Sequence, residues 1–241
     1  MHSARLPLFA LLAGLFMSFS LAASPILAAS SAQLLFNGSR SKPVVALTFD
    51  DGWNTSNCSQ ILNILVAAKV PATFFPNAMY VQGNAAARTF WRRVAKLGFP
   101  IGDHTYDHKS LPTLSFTAAV GEITRDRTVI EDITGVPLIR VLRPPYGAYN
   151  ATVLREAAAA GFPVVLNWDA TDADTALHSS PASMARAALR GINGSVVLMH
   201  CGPNVTPTIL GTVIAGYRAR GFRFVTVPQL LGLPGPVPTF A

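Results

Sequence analysis

The chain has 241 residues, half of them hydrophobic and 13% charged, which excludes an intrinsically disordered protein. Lys and Arg number 19 against 12 Asp and Glu, a formal charge of +7. No basic cluster is interleaved with aromatics, so nucleic acid is set aside as a partner.

At the N-terminus, Arg5 is followed by no charge until Arg40, and Leu6 to Leu21 is a hydrophobic run trailed by small residues. Residues 1–32 therefore read as a secretory signal peptide, with cleavage after Ala22 or Ala32. An uncleaved anchor is the competing reading, because Leu6 to Ala29 is long enough to span a bilayer. Ser18, Ser20, Ser24 and Pro25 favour cleavage. The expected protein is secreted or envelope-associated, monomeric, and basic enough for loose association with the cell wall or a membrane surface.

Residues 41–231 are expected to form one domain. Val44 to Asp51 is an apolar run ending in a turn at Gly52 and reads as a buried strand. Asn57 to Ala68 has helical spacing, Ala72 to Phe75 is a second strand, and Asn84 to Leu97 is helical. Phe99 to Gly102 is a short strand. Ser115 to Thr134 is a long helix; its Glu122, Arg125, Asp126, Arg127 and Glu131 read as a solvated face. Leu138 to Leu142 is a strand, and Asn150 to Ala160 a helix capped by Asn150. Val164 to Trp168 (strand), Pro181 to Arg190 (helix), Ser195 to Met199 (strand), Thr208 to Arg220 (helix) and Phe222 to Val227 (strand) follow. Gly232 to Ala241, with Pro234, Pro236 and Pro238, reads as a loose tail. The alternation predicts a parallel α/β sheet.

Chemistry-bearing residues fall at the ends of these strands. Side chains alternate along a strand, so Asp50 and Asp51 converge on one site only where the backbone turns. Carboxylates at the end of a buried strand are costly to desolvate, and a metal is one cation that offsets the cost. His104 and His108, at i and i+4, face one way on a helical turn or are gathered by a tight loop. Two His and one carboxylate are the ligand set of a catalytic zinc site with a position left for water.

Taken in order, Thr48-Phe49-Asp50-Asp51-Gly52, His104-Thr105-x-x-His108, Arg143-Pro144-Pro145-Tyr146-Gly147 and Leu198-Met199-His200 resemble the polysaccharide deacetylase family. This is the NodB-homology domain, or carbohydrate esterase family 4, and the resemblance spans residues 41–231. It implies an irregular (β/α) barrel with seven or eight mostly parallel strands. It implies that Asp50 is the general base and that Asp51, His104 and His108 hold one divalent metal, zinc first, with cobalt or another divalent ion as alternatives. Arg143 would pair with the catalytic carboxylate, the Tyr146 N–H would stabilise an oxyanion, and His200 would be the general acid.

The sequence departs from the family at its fourth motif. Asp169-x-x-Asp172 keeps the spacing but lacks the following tryptophan; a slipped alignment uses Asp174 instead. The carboxylate that tunes His200 is thus Asp172 or Asp174, and one wall of the sugar groove is expected to be lower. Asp103 stands where the family often has asparagine, with little effect expected. Trp53 could stack on a sugar ring or pack under its loop. Cys58 closely follows Asp51 and Cys201 directly follows His200, so a Cys58–Cys201 disulfide is predicted in an exported chain, with two buried free thiols as the alternative.

The function implied is removal of N-acetyl groups from N-acetylglucosamine units of a polysaccharide, peptidoglycan before chitin-like oligomers. The alternatives are O-deacetylation of acetylated xylan and a non-catalytic carbohydrate-binding module that retains a structural metal.

Overall fold

A computed structural model describes residues 1–2, 31–174 and 180–240; almost all of the expected signal segment lies outside them. Among the described residues, no helix is long and apolar enough to cross a membrane. They form eight strands: β1 (Gln33–Leu35), β2 (Val44–Asp51), β3 (Ala72–Pro76), β4 (Val141–Leu142), β5 (Val164–Leu166), β6 (Ala170–Thr171), β7 (Ser195–His200) and β8 (Arg223–Phe224). Between them run α1 (Thr55–Ala68), α2 (Ala78–Gln82), α3 (Ala85–Lys96), α4 (Phe116–Thr134), α5 (Ala151–Ala159), α6 (Pro181–Ala188) and α7 (Thr206–Ala219). The last helix, α8 (Val227–Leu231), follows β8.

The central strand is β2, which pairs with β3 on one side and β7 on the other. Its residues from Val44 to Asp50 are all buried, which is why it reads as a continuous apolar run and not an alternating one. The order β3-β2-β7-β6 forms one sheet, with β8 also on β2, and β1-β5-β4 forms the other. Single parallel bridges, Phe74 to Ile101 and Asp103 to Leu142, carry the first sheet toward the second. An antiparallel bridge from Asn37 to Ser195 links them on the far side. Every strand pair is parallel, as expected of an irregular (β/α) barrel. The C-terminal ends of the strands therefore share one end of the molecule.

Local chemistry sets the helix ends. Asn54, Asn84, Ser115, Asn150 and Ser180 each accept a first-turn N–H of the helix that follows. At Thr226 a capping box with Gln229 starts α8 where the sequence predicts continued strand, and Pro228 suits that first turn. The expected strands 99–102 and 138–142 shrink, the first to the single bridge at Ile101 and the second to Val141–Leu142. The short elements β1, α2 and β6 have no sequence signal of their own.

Two expectations are corrected. Cys58 and Cys201 are neighbours but are free, buried thiols, and the Cys58 Sγ donates to the Cys201 carbonyl at 3.7 Å. The C-terminal residues are not loose. The Thr239 N–H donates to the Leu97 carbonyl at 3.0 Å, and Phe240 meets Phe99 edge-on at 6.1 Å. Phe99 belongs to an aromatic cluster around Phe74, which also touches Phe49 and Trp91, so the tail extends the core.

Deleting residues 237–241 should therefore lower unfolding stability by about 2 kcal/mol, from a half-buried Phe side chain and one hydrogen bond. A urea midpoint equal to that of the full chain would mean the tail contributes nothing.

Candidate active site

The end of β2 delivers two carboxylates to one place through backbone geometry. Asp50 is the last residue of β2 in register with β7, opposite His200. Asp51 then takes a left-handed conformation (φ 71°) and Gly52 follows at φ 117°. A non-glycine residue there is strained, and the strain turns both side chains into the same cavity.

Asp50 is held by Arg143, which follows β4. The Arg143 Nη1 lies 3.1 and 3.2 Å from the two Asp50 carboxylate oxygens, and its Nε donates to the Leu166 carbonyl at 2.5 Å. Both side chains are buried, so the pair is unscreened by water.

Asp51 meets the two histidines. Its Oδ1 lies 3.6 Å from His104 Nε2 and 3.5 Å from His108 Nε2. The histidines come from a tight loop, not a helical turn, in which Thr105 (φ 65°) and His108 (φ 62°) are left-handed. Burial pushes the Asp51 carboxyl up, but His104, His200 and His108 together hold it below the usual carboxylate range. Burial and the neighbouring His104 push His108 down, which favours the neutral, ligating imidazole.

The donor set fits a divalent cation: one ligand atom from each of Asp51, His104 and His108 falls within 4.8 Å of the others. His104 is also oriented for the task. Its Nδ1 lies 2.6 Å from the Arg143 carbonyl, so the Nδ1–H donates there and Nε2 keeps its lone pair for a ligand role.

The loop carrying the histidines is braced from below. Asn77, just past β3, donates to the carbonyls of His104 and Thr105 at 2.6 and 3.0 Å. Asp126 accepts from the Ala78 N–H at 2.7 Å and the His104 N–H at 3.4 Å. Glu122 accepts from the Asp107 N–H at 3.1 Å, while Arg127 reaches the end of α5, donating to the Ala160 carbonyl at 2.8 Å. The expected solvated face of α4 is thus in part a bracing face, with Arg125 exposed. Loop N–H groups and carbonyls replace water as its partners, and Asp126 is fully buried. Asp103, expected to matter little, is also fully buried and accepts from the Thr105 N–H at 3.0 Å. Burial pushes both carboxyls well above their ordinary range, and the charge of Asp103 adds to the effect on Asp126.

Across the cavity stands His200. Its Nδ1 lies 2.6 Å from Asp174 Oδ1, and the second Asp174 oxygen accepts from the His200 N–H at 2.9 Å and the Thr206 hydroxyl at 2.6 Å. Burial lowers the His200 pKa, but the hydrogen bond and charge of Asp174, with Asp50 and Asp51 beyond, raise it to about 9. Between the two candidates, Asp174 is the carboxylate that touches His200. Asp172 is one layer back, accepting from the Asp174 N–H at 3.2 Å. Burial, then repulsion by Asp174, pushes Asp172 up to about 8, which favours its neutral form.

Asp50, Asp51, His104, His108, Tyr146, Trp168 and His200 line one cavity of about 360 Å³. Tyr146 is 71% exposed and left-handed (φ 60°), with its ring 4.6 Å from that of His108. The turn hydrogen bonds run from Gly147 to Pro144 and from Ala148 to Pro145, leaving the Tyr146 N–H outside them. Trp168, which lies past β5, supplies an aromatic wall of the cavity and packs against Gly147, where any Cβ would collide with its ring. The segment just past Asp174 (175–179) lies outside the described residues. Trp53 is 52% exposed and covers Gly202; it is absent from the cavity lining.

Sequence reasoning missed Trp168, Asn77, Asp126 and Thr206 as site residues. Asn77 directly follows β3 and Trp168 lies two residues past β5, positions near strand ends that could have signalled them. Asp126 and Thr206 lie within helices and carry no such signal.

The fold, the paired carboxylates and the facing histidine define a class, the polysaccharide deacetylases, and comparison with known proteins agrees. The sequence profile of the family described as polysaccharide deacetylase matches residues 37–165, and the chain belongs to that family. It is 31% identical over 192 residues to a peptidoglycan-N-acetylglucosamine deacetylase of Bacillus cereus, covering 78% of this chain and 88% of that one. It is 30% identical over 188 residues to the peptidoglycan-N-acetylglucosamine deacetylase PgdA of Listeria monocytogenes, covering 78% of this chain but only 39% of that relative. Among solved structures, the Bc1960 peptidoglycan N-acetylglucosamine deacetylase superposes with a TM-score of 0.77 at 28% identity, covering 84% and 94% of the two chains.

Asp174→Asn should move the alkaline limb of the kcat profile to lower pH. The imidazolium is the acid form, it is lost as pH rises through its pKa, and removing the Asp174 charge leaves burial free to depress that pKa. An unmoved limb would exclude Asp174 as the partner of His200. Metal analysis supplies a second check: His104→Ala and His108→Ala should each lower bound divalent metal, whereas wild-type stoichiometry in both would exclude them as ligands.

Proposed function

We propose that the protein is an exported, metal-dependent N-deacetylase that hydrolyses the acetamide of N-acetylglucosamine units, with peptidoglycan as the favoured polymer. One observation carries the reading: a carboxylate outside the ligand set, Asp50, faces a carboxylate-backed histidine, His200, across the same cavity. Binding alone needs neither a base nor an acid. The names of the Bacillus and Listeria relatives favour peptidoglycan, as does the basic charge.

Asp51, His104 and His108 would hold a divalent cation, zinc by their donor set, which would supply Lewis acidity toward the acetamide carbonyl and water. The chain's own groups do the rest. Asp50, aimed by its ion pair with Arg143, removes a proton from the attacking water. The Tyr146 N–H donates to the developing oxyanion; a donor of this kind is worth about 3 kcal/mol elsewhere. His200, protonated through Asp174, gives its proton to the nitrogen as the C–N bond breaks. Acetate and a free amine leave. Trp168 and Tyr146 offer aromatic faces to a sugar ring.

Acetate release from peptidoglycan, chitin oligomers and acetylxylan, with and without a chelator, tests the reading. Peptidoglycan should be the best substrate, and the chelator should abolish turnover. Asp50→Asn should lower kcat by roughly 10²–10⁴-fold with metal content unchanged. Faster release from acetylxylan would make the protein an ester hydrolase, and no release from any polymer would leave a binding module.

A further inference from the structure

The end of the molecule opposite the cavity carries a charge pattern that the chemistry does not use. Because all strand pairs are parallel, residues just before the strands gather there. Arg40 and Lys42 precede β2, Arg190 precedes β7, Arg218 and Arg220 close α7, and Arg223 opens β8; all six are exposed. Their described contacts tie them into one patch. Arg223 pairs with Val44, Arg40 donates to the Asn193 carbonyl at 2.7 Å, and Arg220 donates to the Leu189 and Gly191 carbonyls at 2.5 and 2.8 Å. Among the described residues, Arg40 alone of the six forms an ion pair, with Asp169 at 2.6 Å. At the cavity end, by contrast, Arg143 and Lys109 are paired, with Asp50 and with Asp107 and Glu122.

Two further features distinguish an interfacial surface from a simple cationic one. Arg40 and Arg220 flank an open cleft of about 430 Å³ whose other walls include Ile192 and Phe222. Ile192 is 55% exposed beside these guanidinium groups, an apolar side chain placed where headgroups would meet acyl chains. The N-terminal side of the chain also enters here. Gln33, the first residue of β1, is paired with Val164 at the start of β5, and the apolar stretch Leu6 to Leu21 precedes it in sequence.

We propose that this basic end docks on an anionic lipid surface, with Arg40, Lys42, Arg190, Arg220 and Arg223 facing phosphate headgroups and Ile192 inserting between them. The cavity then opens away from the membrane. The inference does not rest on the deacetylase reading.

Co-sedimentation with vesicles of phosphatidylcholine alone, and of phosphatidylcholine with one third phosphatidylglycerol, tests it on the purified protein. Binding should be at least about tenfold tighter to the anionic vesicles and should fall steeply between 50 and 500 mM salt, as roughly expected for a polybasic patch. The triple variant K42E/R190E/R223E changes side chains that make no described hydrogen bond, so it should keep the wild-type melting temperature. It should lose most of the anionic preference. Equal binding to both vesicle types, or a folded triple variant that binds like wild type, would overturn the proposal. So would binding to soluble poly(glycerol phosphate) without binding to vesicles, which would assign the face to a wall polymer instead.

Discussion

One buried ion pair organises this molecule. Arg143 is a fully buried cation whose charge is answered by Asp50. Its guanidinium reaches β2 at Asp50 and Thr48 and the end of β5 at Leu166, while its own carbonyl orients His104. The rings of Phe75 and Trp168 stand 4.7 and 5.6 Å from the guanidinium carbon. A single residue therefore fixes the Asp50 carboxylate, the His104 ring and an aromatic wall. Such a pair adds little net stability over an apolar isostere, but removing one partner typically costs 3–5 kcal/mol because the other charge is left buried. Its value here is positional.

The fold and the residues that gather in the cavity are legible in the sequence because strands and chemistry coincide. Periodicity located β2, β3, β5 and β7, and the chemistry-bearing residues follow strand ends in a parallel sheet. The elements that escaped notice are the shortest. Strands of two or three residues such as β1 and β6 have no period to detect, and α8 depends on a capping box that overrides a run of β-prone residues. Asp126 escaped for another reason: on a helix, a carboxylate bound for a loop N–H looks the same as one bound for water. The fourth motif shows the converse. Spacing alone left Asp172 and Asp174 undecided, and the decision came from three-dimensional placement, which sets Asp174 against His200 and Asp172 behind it.

The thiols illustrate how nearness differs from bonding. Placing Cys58 and Cys201 side by side follows from the adjacency of β2 and β7. The Cys58 sulfur, however, is directed at a backbone carbonyl, and burial pushes the Cys201 thiol well above its ordinary range, away from the reactive thiolate.

Asp51, Thr105, His108 and Tyr146 all occupy left-handed backbone, and all four belong to the loops that build the cavity. For β-branched Thr105 the conformation is especially unfavourable, and its buried hydroxyl has no hydrogen-bond partner. The loops that place the ligands are thus held in shape by Asn77, Asp126 and the surrounding core against their own preference. Natural variation and engineering have an unused reserve here: glycine or asparagine at position 105 relieves strain without touching a ligand, so heat tolerance can rise at the edge of the cavity itself.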